Sequence, residues 1–333
     1  MNNCIRKRLE EQERLMLSPL AAFSDVSDQR ECPEKPSDMR TSFQRDRDRI
    51  IHSRSFRRLK HKTQVFLSPE GDHYRTRLTH TLEVSQISRT VARALRLNED
   101  LCEAIALGHD LGHTPFGHAG ERALDDIFED GFKHYEHSVR VCRKLEKDGM
   151  GLNLTASTLD GIKCHTKGEV AKTLEGRIVR ICDKIAYINH DIDDAVRADV
   201  IAETDIPKEI RSHFGETKSQ RINSMVTSLI NNSETDILMS EKDEEMFLKL
   251  HSFLFESVYF NPKAKFEEQK VAGIIEGLYK HFVTNPHTLP AEYLPIIENE
   301  GINRAVVDYI AGMTDTYAIK VYEEVFIPKS WHL

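Results

Sequence analysis

Apolar positions along this chain recur at helical spacing and almost never alternate, so helix is the predicted element nearly throughout. From Thr41 to Lys62, Ile50, Ile51, Phe56 and Leu59 keep that spacing in a stretch dense in Arg and His. Leu82, Val84, Ile87, Val91 and Leu95 predict an amphipathic helix over Leu78–Leu97. Asn98 is a good N-cap for the next helix, with Glu99 and Asp100 well placed in its first turn. That helix is expected to run to about Leu111 and stop at Gly112. Further helices fit Glu121–Glu129, His134–Lys147 and Thr155–His165. A long helix from about Val170 to Arg197 carries a stripe of Ile178, Ile181, Ile185, Ile188 and Ile192. Beyond residue 200, helix is predicted over 219–231, 241–258, 264–283 and 301–325. Two regions depart from this pattern. Residues 1–40 are polar and punctuated, with one short helix near the start. A β-like piece, Thr63 to Leu67, leads into a turn at Pro69-Glu70-Gly71-Asp72. The expected architecture is all-α: a polar segment over 1–40, then one helical domain over 41–333 whose C-terminal third packs onto the remainder.

Composition adds bounds. The chain has 333 residues, 39% of them hydrophobic and 30% charged, as in a soluble globular protein with a sizeable core. A net charge of -8 argues against a broad nucleic-acid binder, yet leaves room for a local basic pocket. The six cysteines form no CxxC pair, and four of them sit in apolar helical patterns, which fits a reducing compartment. The polar start and the lack of any long apolar run predict no secretory leader and no membrane span, so the chain is expected in the cytoplasm.

Four residues carry the strongest chemical signal: His80, the pair His109-Asp110, and Asp183. His109-Asp110 follows Ala104-Ile105-Ala106-Leu107-Gly108, an apolar run that should bury the helix end. A carboxylate there needs a counter-charge, and a divalent cation would supply it. Mixed nitrogen and oxygen donors suit a borderline or hard ion, and Mn, Mg, Fe, Co, Ni and Zn all tolerate them. Such an ion polarises a phosphoryl oxygen and activates water. Asp183, Tyr187 and Asp191 are spaced i, i+4, i+8 and share one helix face, opposite the isoleucine stripe. Read alone, that face is either a solvated polar stripe or a wall for a sugar. His113 and His118 lie on a Gly-flanked loop, where proton-moving groups are common. Arg54, Arg57, Arg58, Arg75 and Arg77 form a basic cluster; Arg77 is expected to meet phosphate and the others to be structural or at an interface. There is no GxxxxGK[ST] loop.

The spacing H…HD…D resembles the signature of HD-domain phosphohydrolases. The longer blocks ALGHDLGHTPFGHAGE, RIVRICDKIAYINHDIDDAVRA and DYIAGMTDTYA resemble the deoxynucleotide triphosphohydrolases, and among them the bacterial deoxyguanosinetriphosphate triphosphohydrolase-like proteins. The resemblance covers residues 41–327. It implies an HD-domain helical bundle with additional C-terminal helices, and metal-dependent cleavage of a dNTP to deoxynucleoside plus inorganic triphosphate. It implies His80, His109, Asp110 and Asp183 as metal ligands, and His118 and His134, with His113 beside them, as the catalytic group. It implies Arg77 and Lys184 as phosphate contacts, and Gln64, Tyr187 and Asp191 around the deoxyribose. Relatives have Asn after the histidine that matches His134, whereas this chain has Tyr135, so Glu136 or His137 is expected to orient His134 instead. The resemblance also implies a homo-oligomer, hexamer or tetramer, and allows for a nucleotide effector. The competing readings are another HD-type activity (5′-nucleotidase or cyclic-nucleotide phosphodiesterase), a non-catalytic dNTP sensor, and, least favoured by charge, a nuclease.

Overall fold

The computed structural model describes residues 4–26, 29–64, 75–166, 168–259 and 261–329. Among them are sixteen α-helices and no named strand; isolated bridges join Arg30 to Thr155 and Thr63 to Thr76. The fold is all-α, as the spacing of apolar residues predicts. Thr63 makes the bridge at the start of the β-like piece, whereas residues 65–67 and the turn at 69–72 lie outside the described residues.

After α1 (Ile5–Met16) the chain runs irregularly to α2 (Ser42–Ile51) and the short α3 (Arg54–Arg58). The irregular stretch is tied down by buried acids. Glu175 accepts from the amide of Ala22 and from that of Asn98, and Arg30 donates to the fully buried Asp46 at 2.6 Å. Asp46 also takes the amide and hydroxyl of Thr155, so the segment before α2 and the start of a distant helix share one anchor.

The stretch that bears the H…HD…D spacing follows: α4 (Arg77–Leu95), α5 (Glu99–Gly108), α6 (Gly117–Ile127), α7 (His134–Arg140) continuing as a π turn (Val141–Leu145), α8 (Ala156–Lys163) and the 24-residue α9 (Leu174–Arg197). Asn98 caps α5 as predicted, its side chain accepting from the amides of Asp100 and Leu101; such a cap is worth about 1 kcal/mol. The helix ends at Gly108, earlier than expected, and 109–112 form a turn. That ending swings His109 and Asp110 out of the helix ladder. On α9, Ile178, Ile185, Ile188 and Ile192 are fully buried against α4 and α5, and Ile181 packs at the margin. Leu82 departs from its expected stripe: it is exposed on α4, whose buried face runs through His80, Val84, Ile87 and Val91.

Beyond α9 come α10 (Lys208–Phe214), α11 (Lys218–Asn232), α12 (Glu241–Leu254) with a π turn (Phe255–Tyr259), α13 (Pro262–Thr284), α14 (Leu294–Glu300), α15 (Ile302–Ala311) and α16 (Asp315–Phe326). The single helix expected over 301–325 is thus two, because the chain turns at Gly312–Thr314 and Thr314 caps α16 afresh. Helices α10 and α14 carry no counterpart among the predicted elements.

The apolar residues gather in three clusters. One joins α4, α5 and α9 to α10, α11 and α12; a second joins α6 to α13, α15 and α16; a third lies between α2, the end of α5, α7 and α8. The chemistry-bearing side chains come from elements of all three.

Candidate metal and phosphohydrolase site

The end of α5, the middle of α4 and the middle of α9 bring four side chains together. His80 Nε2 is 2.9 Å from Asp183 Oδ1, and His109 Nε2 is 3.6 Å from the same oxygen and 3.4 Å from Asp110 Oδ1. His109 Nδ1 donates to the Ala106 carbonyl at 2.6 Å, which leaves Nε2 with its lone pair turned inward. That Nε2 is buried and has no hydrogen-bond partner among the described residues. An orphaned imidazole nitrogen beside two carboxylates is a donor set in want of a cation. The ligand atoms of His80, His109 and Asp110 lie within 4.8 Å of one another, as do those of His109, His165 and Asp183. Nitrogen and carboxylate oxygen dominate, and the neighbouring thiol does not compete, because burial pushes Cys182 up to about 12.

The carboxylates are charged despite burial. Burial pulls Asp110 upward, but His109, His113 and Arg77 outweigh it and hold the carboxyl well below its ordinary range. Burial opposes ionisation of Asp183 too, and the hydrogen bond from His80 reverses it. Arg77 is almost wholly buried, and its Nη1 donates to Asp110 Oδ2 at 2.9 Å. The guanidinium is therefore fixed before any ligand arrives. The other arginines of the cluster are spent on structure: Arg75 bridges Glu83, Asp193 and Asp194, Arg54 meets Asp148 and Glu292, Arg57 donates to the His52 carbonyl and Arg58 to the Ser55 hydroxyl.

Next to these candidate ligands stands a group of histidines. His113 and His134 stack with ring centroids 3.9 Å apart, and His118 lies edge-on at 5.2 Å from His113 and 5.8 Å from His134. His113 Nε2 is 3.3 Å from Asp110 Oδ1. Burial, and then the charge of Arg77, holds His113 well below the usual imidazole value, so it is neutral. His118 and His134 converge on one carboxylate. Glu121 accepts from His118 Nδ1 at 3.0 Å and from His134 Nδ1 at 2.8 Å, as well as from the His134 amide. Burial would raise Glu121, but the hydrogen bonds from both rings keep it far below its ordinary value.

Glu121 corrects the expected orienting partner of His134. Glu136 is exposed, and the buried His137 turns away towards Arg304 and Asp308. Sequence reasoning also missed His165, which follows α8. Its Nδ1 donates to the Ile162 carbonyl at 2.7 Å, and burial pushes it down to about 3. Its Nε2 thus presents a lone pair to His134 Nε2 at 3.3 Å. Glu121 on one side and His165 on the other thus engage both nitrogens of the His134 ring.

Along α9, Asp183, Tyr187 and Asp191 share a face, as their spacing requires. Asp191 is buried and receives the hydroxyl of Tyr259 from the π turn after α12. His251 packs edge-on to Tyr187, and Phe255 bridges His251 and Tyr259, so an aromatic wall from residues 251–259 faces this stretch. None of these three was singled out from the sequence. Lys184 is half-buried beside Asp183, and Gln64 is half-buried with its Oε1 shielded from solvent. No helix among the described residues is long and apolar enough to cross a membrane.

Comparison with known proteins gives the family. The HD domain model matches residues 77–188, and the phosphohydrolase-associated domain model matches 237–324. A deoxyguanosinetriphosphate triphosphohydrolase-like protein of Caldanaerobacter subterraneus subsp. tengcongensis is 55% identical over 329 residues, covering 98% of this chain and 97% of that one. One of Clostridium perfringens is 49% identical over 336 residues, covering 98% of each. A solved phosphohydrolase from Bacteroides thetaiotaomicron shares the fold with a TM-score of 0.55 at 17% identity, over 93% of this chain and 72% of that one. The chain belongs to the deoxyguanosinetriphosphate triphosphohydrolase-like family of HD-domain phosphohydrolases.

Proposed function

We propose that the protein hydrolyses dNTPs to deoxynucleoside and inorganic triphosphate, using a divalent metal ion held by His80, His109, Asp110 and Asp183. The observation that carries the reading is the buried, unpartnered His109 Nε2 aimed between two charged carboxylates, with a Glu121-tethered histidine pair alongside. When bound, the ion supplies a Lewis acid for an α-phosphoryl oxygen and lowers the pKa of a water.

The chain's own residues account for the remaining tasks. Arg77, pinned by Asp110, offers its free edge to phosphate, and Lys184 adds a second cation. Water attacks the α-phosphorus, the bond to the 5′-oxygen breaks, and that oxygen needs a proton. His118 gives it from Nε2, since Nδ1 is engaged with Glu121. His118 suits this task because its side chain is 65% exposed, whereas that of His134 is 9% exposed and locked on both nitrogens. His134, held by Glu121 and His165, supports His118 from the shared carboxylate, and neutral His113 packs beneath it as a flat, uncharged floor. Gln64, Tyr187 and Asp191 receive the deoxyribose.

The test is a panel of dNTPs and NTPs across several divalent metals, with chromatographic identification of both products. Intact tripolyphosphate is expected; no cleavage of any triphosphate, with orthophosphate released from added nucleoside monophosphates or monophosphate formed from added cyclic nucleotides, would replace the reading with one of the other HD-type activities. Asp183→Ala should abolish bound metal together with turnover, and full metal occupancy in that variant would show the ligand set to be wrong.

A further inference from the structure

The C-terminal helices reach the site through one buried carboxylate. Asp315 sits in the first turn of α16 and is 2% exposed. Its Oδ1 accepts from the amide of Phe116 at 2.9 Å. Its Oδ2 accepts from the amide of Thr63 at 2.9 Å and from the Thr63 hydroxyl. Phe116 is two residues before His118 and caps α6 at φ 63°. A non-glycine residue keeps that left-handed conformation only where its surroundings impose it. Thr63 leads directly into Gln64. Between these two grips lies Gly117, where a Cβ would stand 3.0 Å from Arg77 Nη2 and 3.6 Å from the carbonyl oxygens of Thr63 and Gln64. Buried Lys62 repeats the arrangement from the other side, its Nζ donating to the carbonyls of His113 and Ala311. The loop 113–117 is therefore fastened near one end, through Lys62, to the last residue of α15 and near the other to the residue that opens α16.

We propose that Asp315 is a positioning residue for hydrolysis: by gripping Phe116 and Thr63 together it sets His118 and Gln64 against the metal ligands, so the C-terminal helices govern turnover without touching substrate. The inference rests on the role of His118 given above. Loss of the carboxylate lets Phe116 leave its imposed conformation, which turns the first residues of α6 and carries His118 away. Among the described residues Asp315 bonds Phe116 and Thr63 and not the proposed metal ligands, which stand on α4, on the turn after α5 and on α9 and should keep their ion. Asp308, on α15, is the natural comparison. It is buried too, but its partners are Arg140, Arg304 and His137 and not the loop.

The experiment compares the Mn²⁺-loaded full-length protein with Asp315→Asn and Asp308→Asn. The first substitution turns one acceptor oxygen into an N–H donor, which would then face either the Phe116 amide or the amide and hydroxyl of Thr63. In Asp315→Asn, kcat should fall about 10- to 100-fold, as misplacement of a reacting group by about an ångström does. Bound Mn²⁺ should stay unchanged, and amide exchange over 113–118 should quicken. Asp308→Asn, assayed where it is folded, should keep kcat within about threefold and leave exchange over 113–118 as in the parent. The proposal is overturned if folded Asp315→Asn keeps kcat within about threefold, if exchange over 113–118 is unaltered, or if metal departs with activity. Should Asp315→Asn not fold, Thr63→Val removes the hydroxyl half of the Thr63 grip with little change in shape, and faster exchange over 113–118 with a smaller but measurable fall in kcat is then required. A parent protein that cleaves no dNTP with any metal would sink the function itself; the exchange measurement would then still decide whether Asp315 holds the loop.

Discussion

Two histidines depend on a single carboxylate, and that dependence can be measured. Glu121→Gln keeps the shape but replaces one acceptor oxygen with a donor, so either His118 or His134 loses its partner. Turnover should drop about 10²- to 10⁴-fold with bound metal retained; a drop below about threefold would remove Glu121 from the mechanism. Asp191 makes a different prediction. Burial pushes its carboxyl up to about 7, against the pull of the Tyr259 hydroxyl. The folded state thus binds this proton more tightly than the unfolded chain does. Its stabilising contribution is complete below about pH 4 and is lost as pH rises through about 7. His165, pushed down to about 3, acts in the opposite sense, so the comparison must isolate Asp191. In metal-free protein, the Tm of Asp191→Asn should gain on that of the parent from pH about 5 to about 8, and an equal gap at both ends would refute the assignment. At this scale the sequence is legible where chemistry announces itself. A His-Asp pair after an apolar run cannot be solvated, which is why His109 and Asp110 stand out. Glu121 resembles any acid on an amphipathic helix, and His165 any polar residue at a helix end. Tyr259 meets Asp191 across 68 residues, a separation that no local pattern encodes.

Helices show the same division between local and distant causes. Capping and apolar spacing placed α4, α5 and α9 because each buries a continuous stripe. The short α10 and α14 escaped because seven residues hold too few turns for a period to emerge. The break between α15 and α16 was signalled only by Gly312 and the Thr314 cap. The early end of α5 follows from packing and not from propensity. At Gly112 an added Cβ would stand 2.1 Å from the Ser138 amide and 2.7 Å from the His134 carbonyl, so α7 lies directly against the turn that carries His109 and Asp110. Backbone on both sides cannot give way. Gly112→Ala should therefore destabilise the protein by about 3 kcal/mol or more, read as a lowered Tm or as loss of soluble protein. A variant melting with the parent would show that this approach is not tight.

At the scale of the molecule, the HD helices and the C-terminal helices are joined by charge as well as by apolar contact. Asp308 is fully buried and takes both oxygens to Arg140 on α7, with Arg304 alongside. Arg140→Ala leaves that carboxylate with one fewer cation and should cost about 2–3 kcal/mol, below the full penalty for an unpaired buried charge because Arg304 remains. Denaturation by urea would measure it, and a loss under about 0.5 kcal/mol would mean the pair is dispensable. Metal removal should act in the same direction. The proposed ligands come from three separate helical regions, so a chelator should lower the Tm and added Mn²⁺ should restore it, whereas an unchanged Tm would argue against a resident ion. The placing of the chemistry across three apolar clusters has one last consequence. The proposed ligands stand mainly on the first, His118 and Glu121 on the second, and His134 and His165 on the third. Were these clusters to slide slightly against one another on warming, a slip too small to alter circular dichroism would part the proposed proton donor from the proposed ligands. On warming, this protein should stop working before it starts to melt.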